Sequence, residues 1–158
     1  MKEKTCCFTG HRQVAAEDRL KIERRLEKEV EWLIYQGITD FETGGAQGFD
    51  ALAALTVLKL RKTYPRIRLI LVLCCKEHTN GWEKEEIKIF NDILDQADEV
   101  IYTSEQYHAN CIEEHNRYLV DSSAFCICYL IHPDSITAYT VEYASKQNLR
   151  IIPIFPGE

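Results

Sequence analysis

No stretch of this chain comes near the roughly 18 to 20 consecutive apolar residues that a membrane-spanning helix needs, so no such helix is expected. An excess of cations is missing too. Lys and Arg number 19 against 25 Asp and Glu, a formal net charge of -6. That balance opposes non-specific binding to nucleic acid or anionic membranes, which takes clustered Lys and Arg. Arg24-Arg25 and Arg61-Lys62 are local exceptions in helix-like segments, where a solvated face accounts for them. Internal repeats, low-complexity tracts and Pro/Gly/Ser linkers are absent, which leaves nothing to mark a domain boundary. A chain of 158 residues is long enough for one full core and short for two, so a single domain over residues 1–158 is expected. The opening Met-Lys-Glu-Lys-Thr leads straight into a strand-like run without the apolar stretch of a secretory signal, and a cytoplasmic location is the expectation.

Cysteine, by contrast, is plentiful. There are seven, an odd number in a chain with other means of building a core, which argues against a disulfide framework. Two pairs are adjacent (Cys6-Cys7, Cys74-Cys75) and one alternates (Cys126, Cys128), whereas structural zinc sites favour wider spacing and four ligands. They read as reduced, buried small hydrophobes, and no metal is expected.

A strand followed by a helix recurs along the chain. Residues 4–9 form an apolar run, and Ile22, Leu26, Val30 and Leu33 follow at helical spacing until Gly37. Residues 41–43 read as a second strand, 44–48 as a turn, and 49–61 as a helix so apolar that it is buried on more than one side. Strands at 67–73, 99–102, 124–130 and 150–154 alternate with helices at 82–94, 111–120 and 137–147. Such alternation predicts parallel βαβ units: a Rossmann-like open, mostly parallel sheet with helices on both faces, three layers α/β/α. Ligands of such sheets sit outside the carboxyl ends of the strands.

Two loops fall at that edge. "CCFTGHR" ends the first strand in Gly10, His11 and Arg12: a residue that allows close backbone approach, an imidazole, and a planar cation suited to phosphate or carboxylate. The bland alternative is a turn glycine beside two solvated residues. "TGGAQGFDALA" places Gly44, Gly45 and Gly48 between a strand and a helix, where backbone N–H groups and the helix dipole favour an anion. It is neither G-x-G-x-x-G nor G-x-x-x-x-G-K-[ST]. Asp50, in the first turn, has three candidate partners: the exposed N–H groups, a ribose hydroxyl, or His11 and Arg12. Glycines that merely permit tight strand-to-helix packing remain the competing explanation. Asn116 and Arg117 precede the fifth strand, and Thr137 and Thr140 lie where a helix cap or an anion contact is expected. Lys76, Glu77, His78 and Trp82 follow the third strand, either as a pocket wall or as the start of a surface helix.

In combination, "FTGHR" and "GGAQGFDALAA", followed in order by Asn116-Arg117 and Thr137-Ala-Tyr-Thr140, resemble the YpsA-like family of the SLOG superfamily, named for SMF/DprA and the LOG proteins. The resemblance spans about Thr5 to Ile154 and implies a Rossmann-like domain, bacterial, whose glycine-rich edge binds a nucleotide or nucleotide-derived ligand. On it, Gly10, His11, Arg12, Gly44, Gly45, Gln47, Gly48 and Asp50 match the pocket-forming segments, joined by Asn116, Arg117, Thr137 and Thr140. Two departures stand out. Related members look like Gly-Gly-Thr in the last loop, where Ser135-Ile136 here precede Thr137. The LOG phosphoribohydrolases carry Pro-Gly-Gly-x-Gly-Thr-x-x-Glu, and aligning its Thr with Thr137 puts Thr140 at the catalytic Glu; Glu142 lies roughly 200° further round a helix. N-glycosidic hydrolysis by that route is therefore disfavoured.

The leading expectation is a module that binds or senses a nucleotide-type small molecule such as NAD or ADP-ribose. The alternatives are a nucleotide-processing hydrolase with His11 or Asp50 as general base, a DprA-like DNA-binding protein, which the acidic balance opposes, and a scaffold working through partner contacts. A homodimer is expected by analogy with other Rossmann-like domains.

Overall fold

The computed structural model describes residues 2–156. After a single 3-10 turn over Lys2–Lys4, strands and helices alternate: β1 (Thr5–Gly10), α1 (Arg19–Tyr35), β2 (Asp40–Thr43), α2 (Phe49–Arg61), β3 (Arg68–Leu73) and α3 (Lys84–Gln96). The second half continues with β4 (Glu99–Tyr102), α4 (Cys111–Asp121), β5 (Phe125–Tyr129), α5 (Ile136–Lys146) and β6 (Arg150–Pro153). All six strands are parallel in the order β4-β3-β2-β1-β5-β6. This is the expected Rossmann-like α/β sheet.

Each face of the sheet is closed by its own helices. Ile22, Leu26, Val30 and Leu33 of α1 join α2, and Phe90 and Ile93 of α3, over Cys6, Phe8, Phe41, Leu69 and Leu71. On the opposite face Leu119 and Val120 of α4 and Ala144 of α5 cover Cys7, Ile70, Val72, Cys126 and Cys128. Alternation along β1 thus sends Cys6 to one core and Cys7 to the other. All seven cysteines are free and buried. Helix α2, packed between α1 and α3 and against β1 to β3, buries nine residues, as its apolar sequence demands.

Several boundaries move from the sequence reading. Helix α3 begins at Lys84, not Trp82, because Glu83 and Glu86 form a reciprocal capping box. Helix α5 is capped by Ser135, whose Oγ accepts from the Ala138 N–H at 3.1 Å. Thr137 and Thr140 are consequently inside the helix and cap nothing.

Because the sheet is wholly parallel, all six carboxyl ends share one edge. From β1 the chain leaves toward β2, and from β5, paired to the other side of β1, it leaves toward β6. The crevice between these two departing connections is the topological switch point.

Candidate functional site

At that crevice lies a cavity of about 870 Å³, lined by Gly10, His11 and Arg12 from the end of β1, Gly44 and Asp50 from the β2–α2 turn, Asn116 from α4 and Thr137 from α5. The sequence-predicted residues do not all meet there. Gly45, Gln47 and Gly48 line a smaller depression of about 210 Å³ on the α3 side of the same turn, with Arg12 and Asp50 shared between the two. Arg117 and Thr140 face a third hollow between α4 and α5. Arg117 pairs with Glu113 at 2.7 Å and lies over the Tyr143 ring, while the Thr140 hydroxyl donates to the Ile136 carbonyl one turn back. Glu142 ion-pairs with Lys146 on an exposed face, so no carboxylate replaces Thr140.

His11 is a clasp across the switch point. Its Nε2 accepts from the Ile131 N–H at 2.9 Å and the His132 N–H at 3.3 Å, just beyond β5, which leaves the ring proton on Nδ1. Burial, aided by neighbouring His132, lowers its pKa and keeps it neutral. Its backbone carbonyl accepts from the Phe49 N–H at 3.1 Å, so the start of α2 is capped by the main chain of the β1 loop. Gly48 makes this approach possible: it sits at φ 70°, and a Cβ there would lie 2.2 Å from the Arg12 carbonyl oxygen.

The glycine turn brings its own carboxylate. Asp50 Oδ2 accepts from the Ala46 N–H at 3.2 Å, whereas Oδ1 is buried without a partner among the described residues. Burial raises the Asp50 pKa to about 7 against the opposing pull of the Ala46 N–H and the Arg12 charge. The Ala46 N–H, one of the donors expected to face an anion, is therefore spent within the protein, as is that of Phe49 at the start of α2.

Two imidazoles hold the turn from behind: His78, from the segment read as a pocket wall, and His115, which the sequence reading did not select. His78 accepts from the Cys74 N–H at Nδ1 and donates from Nε2 to the Gly45 carbonyl at 3.1 Å. His115 donates from Nε2 to the carbonyls of Val72, 2.6 Å away, and Gly44, 3.1 Å away, and its Nδ1 lies 3.1 Å from the Asn116 amide. Burial lowers both pKa values, that of His78 to about 4. Gly44 is required beside them, since a Cβ would meet His115 Cε1 at 2.7 Å. Trp82 and Phe90 enclose the His78 ring, and of the segment read as a pocket wall Glu77, His78 and Trp82 line the cavity while Lys76 does not.

Among the described residues no carboxylate lies within ion-pairing distance of Arg12. Its charge nonetheless acts on Asp50, Cys74, His78 and His115, which belong to three different segments. The cleft thus sets Arg12, without an ion-pair partner among the described residues, among three imidazoles and the carboxyl groups of Asp50 and Glu77. Among the described residues no cluster of three or more His, Cys, Asp or Glu is placed to hold a metal ion, and no helix is long and apolar enough to cross a membrane.

The family model described as the YspA SLOG family (YpsA) matches residues 6–152. The chain belongs to this SLOG family. A relative in Halalkalibacterium halodurans, UPF0398 protein BH1768, is 30% identical over 129 residues, covering 80% of this chain and 68% of its own length. The uncharacterized SPbeta prophage-derived protein YoqJ of Bacillus subtilis is 27% identical over 143 residues, 82% of this chain and 84% of that one. In fold, the chain is similar to DNA processing protein A from Streptococcus pneumoniae (TM-score 0.68, 14% identity) over 96% of its length. It is likewise similar to DNA processing protein A from Helicobacter pylori, described for its mode of binding single-stranded DNA (TM-score 0.67, 15% identity). Those proteins are longer: the SLOG chain spans 50% and 65% of them.

Proposed function

We propose that the switch-point cleft binds a phosphorylated small molecule of nucleotide type, an NAD- or ADP-ribose-like compound. The observation that carries this is Arg12, a guanidinium without an ion-pair partner among the described residues at the mouth of a cavity of about 870 Å³. A planar cation with five donors at the mouth of a recess matches a phosphate oxygen pair. Asp50 lines the same cavity, but its unpartnered Oδ1 is closed off from solvent and serves the turn, not a ligand hydroxyl. The volume lies within the range of small-molecule sites. Polynucleotide binding of the kind described for the Helicobacter pylori neighbour is opposed by the net charge of -6.

Isothermal titration of the protein and of Arg12→Gln with ADP-ribose, NAD, AMP and ribose 5-phosphate tests the reading. Loss of a charge-assisted phosphate contact weakens binding roughly 10- to 150-fold, while the exposed Arg12 leaves stability unchanged. Equal affinity in both proteins, or no binding by the unaltered one at millimolar ligand, refutes it.

A further inference from the structure

Beside the cleft is the hollow of about 470 Å³ between α4 and α5. Ile112, Asn116, Ser135 and Ile136 line both spaces, so the hollow is a trough that adjoins the cleft. Its floor is preformed. The Arg117 guanidinium lies 5.4 Å from the Tyr143 ring centre and is held by Glu113 at 2.7 Å, while the Tyr143 hydroxyl donates to Asp121 at 2.8 Å. Above this floor Tyr139 and Ile136 stand 63% and 64% exposed, with no hydrogen bond from the Tyr139 side chain among the described residues.

The chemistry of this trough differs from that of the cleft. Arg117, its one cation, is already neutralised, and the flanking Glu113 and Asp134 repel an anion. What remains is a set of flat or apolar surfaces with polar groups at the margin, the character of a stacking platform for a planar ring. We infer that the α4–α5 trough is a second subsite for an uncharged aromatic ring, a nucleobase, carried by the molecule whose charged part occupies the main cleft. The inference rests on the phosphate reading of that cleft and extends it from a ligand class to a two-part ligand. Occupancy by the ring of the same ligand follows from the wall shared at Ile112, Asn116, Ser135 and Ile136, which sets the trough next to the cavity that Arg12 lines.

The test uses two half-ligands and the whole: ribose 5-phosphate, adenosine and ADP-ribose, titrated against the protein, Tyr139→Ala and Tyr139→Phe. Tyr139 is exposed enough for its removal to leave folding intact. Expected is a loss of roughly 5- to 150-fold for adenosine and ADP-ribose in Tyr139→Ala, none for ribose 5-phosphate, and full retention in Tyr139→Phe. Adenosine binding that depends on Tyr139 while ribose 5-phosphate fails to bind supports the trough and removes the phosphate reading of the cleft. ADP-ribose binding that is indifferent to Tyr139→Ala overturns the trough and leaves the cleft standing. No binding of any of the three by the unaltered protein overturns both. Sedimentation showing that the unaltered protein is a dimer and Tyr139→Ala a monomer also overturns the ring subsite, because the trough is then filled by a second copy.

Discussion

Asp50→Asn isolates the cost of placing a carboxyl group beneath the glycine turn. The side chain is buried, one oxygen accepts from Ala46 N–H, and the other has no partner among the described residues. Its pKa rises from 3.8 to about 7. A shift of about 3 pH units corresponds to about 4 kcal/mol. Because the folded-state value lies above the unfolded one, the folded protein holds this proton more tightly. The stability so conferred is complete below about pH 4 and is lost as the pH rises through 7. Asparagine keeps an acceptor for Ala46 and has nothing to titrate. Urea unfolding of both proteins from about pH 4 to about pH 8 therefore gives a difference in stability that moves in favour of the variant by about 4 kcal/mol across the window, whatever constant offset the new amide adds. At the upper end this is worth roughly 8 to 16 °C in melting temperature for a chain of this size. A difference flat with pH would show that Asp50 ionises as an ordinary exposed carboxylate and would refute the burial argument.

Glu42, in the middle of β2, behaves in the same sense: burial lifts its pKa to about 7 despite the Ser122 hydroxyl donating to it at 2.6 Å. Glu42→Gln should gain about 3 kcal/mol relative to the unaltered protein between about pH 4 and pH 8, read by the same titration of urea midpoints. Gly48→Ala imposes a Cβ at φ 70° and 2.2 Å from the Arg12 carbonyl. It should cost more than about 2 kcal/mol in chemical denaturation and disorder the loop that carries Arg12; an unchanged midpoint would show that the loop yields without cost.

Much of this architecture was legible because burial on both faces forces nearly continuous apolar strands, as Ile127 and Cys128 within β5 illustrate. The two loops of the cleft were legible for a different reason, since Gly10 and Gly44 are needed where the main chain passes within contact of Phe49 and His115. His115 itself was not. It is one polar residue within Glu-Glu-His-Asn-Arg, and its partners are carbonyls 71 and 43 positions away in the chain. Arg117 was assigned to the cleft because Asn116 was, but one residue along a helix turns about 100°, enough to carry it into the neighbouring trough. Thr140, three residues beyond Thr137, lines that trough and not the cleft, and spends its hydroxyl on its own backbone.

The pairing of β1 with β5, where Cys7 stands opposite Cys126, joins segments separated by most of the chain. The first four strands contact their sequence neighbours in succession, so the β1–β5 seam is the slow, late closure in a folding route that favours near contacts. Until it forms, β1 has one open edge and His11 has no Ile131 or His132 amide to receive. The cleft comes into being with that closure. A molecule seated across it tethers the two halves that find each other last, and its signature in kinetics is slower unfolding with little change in the rate of folding.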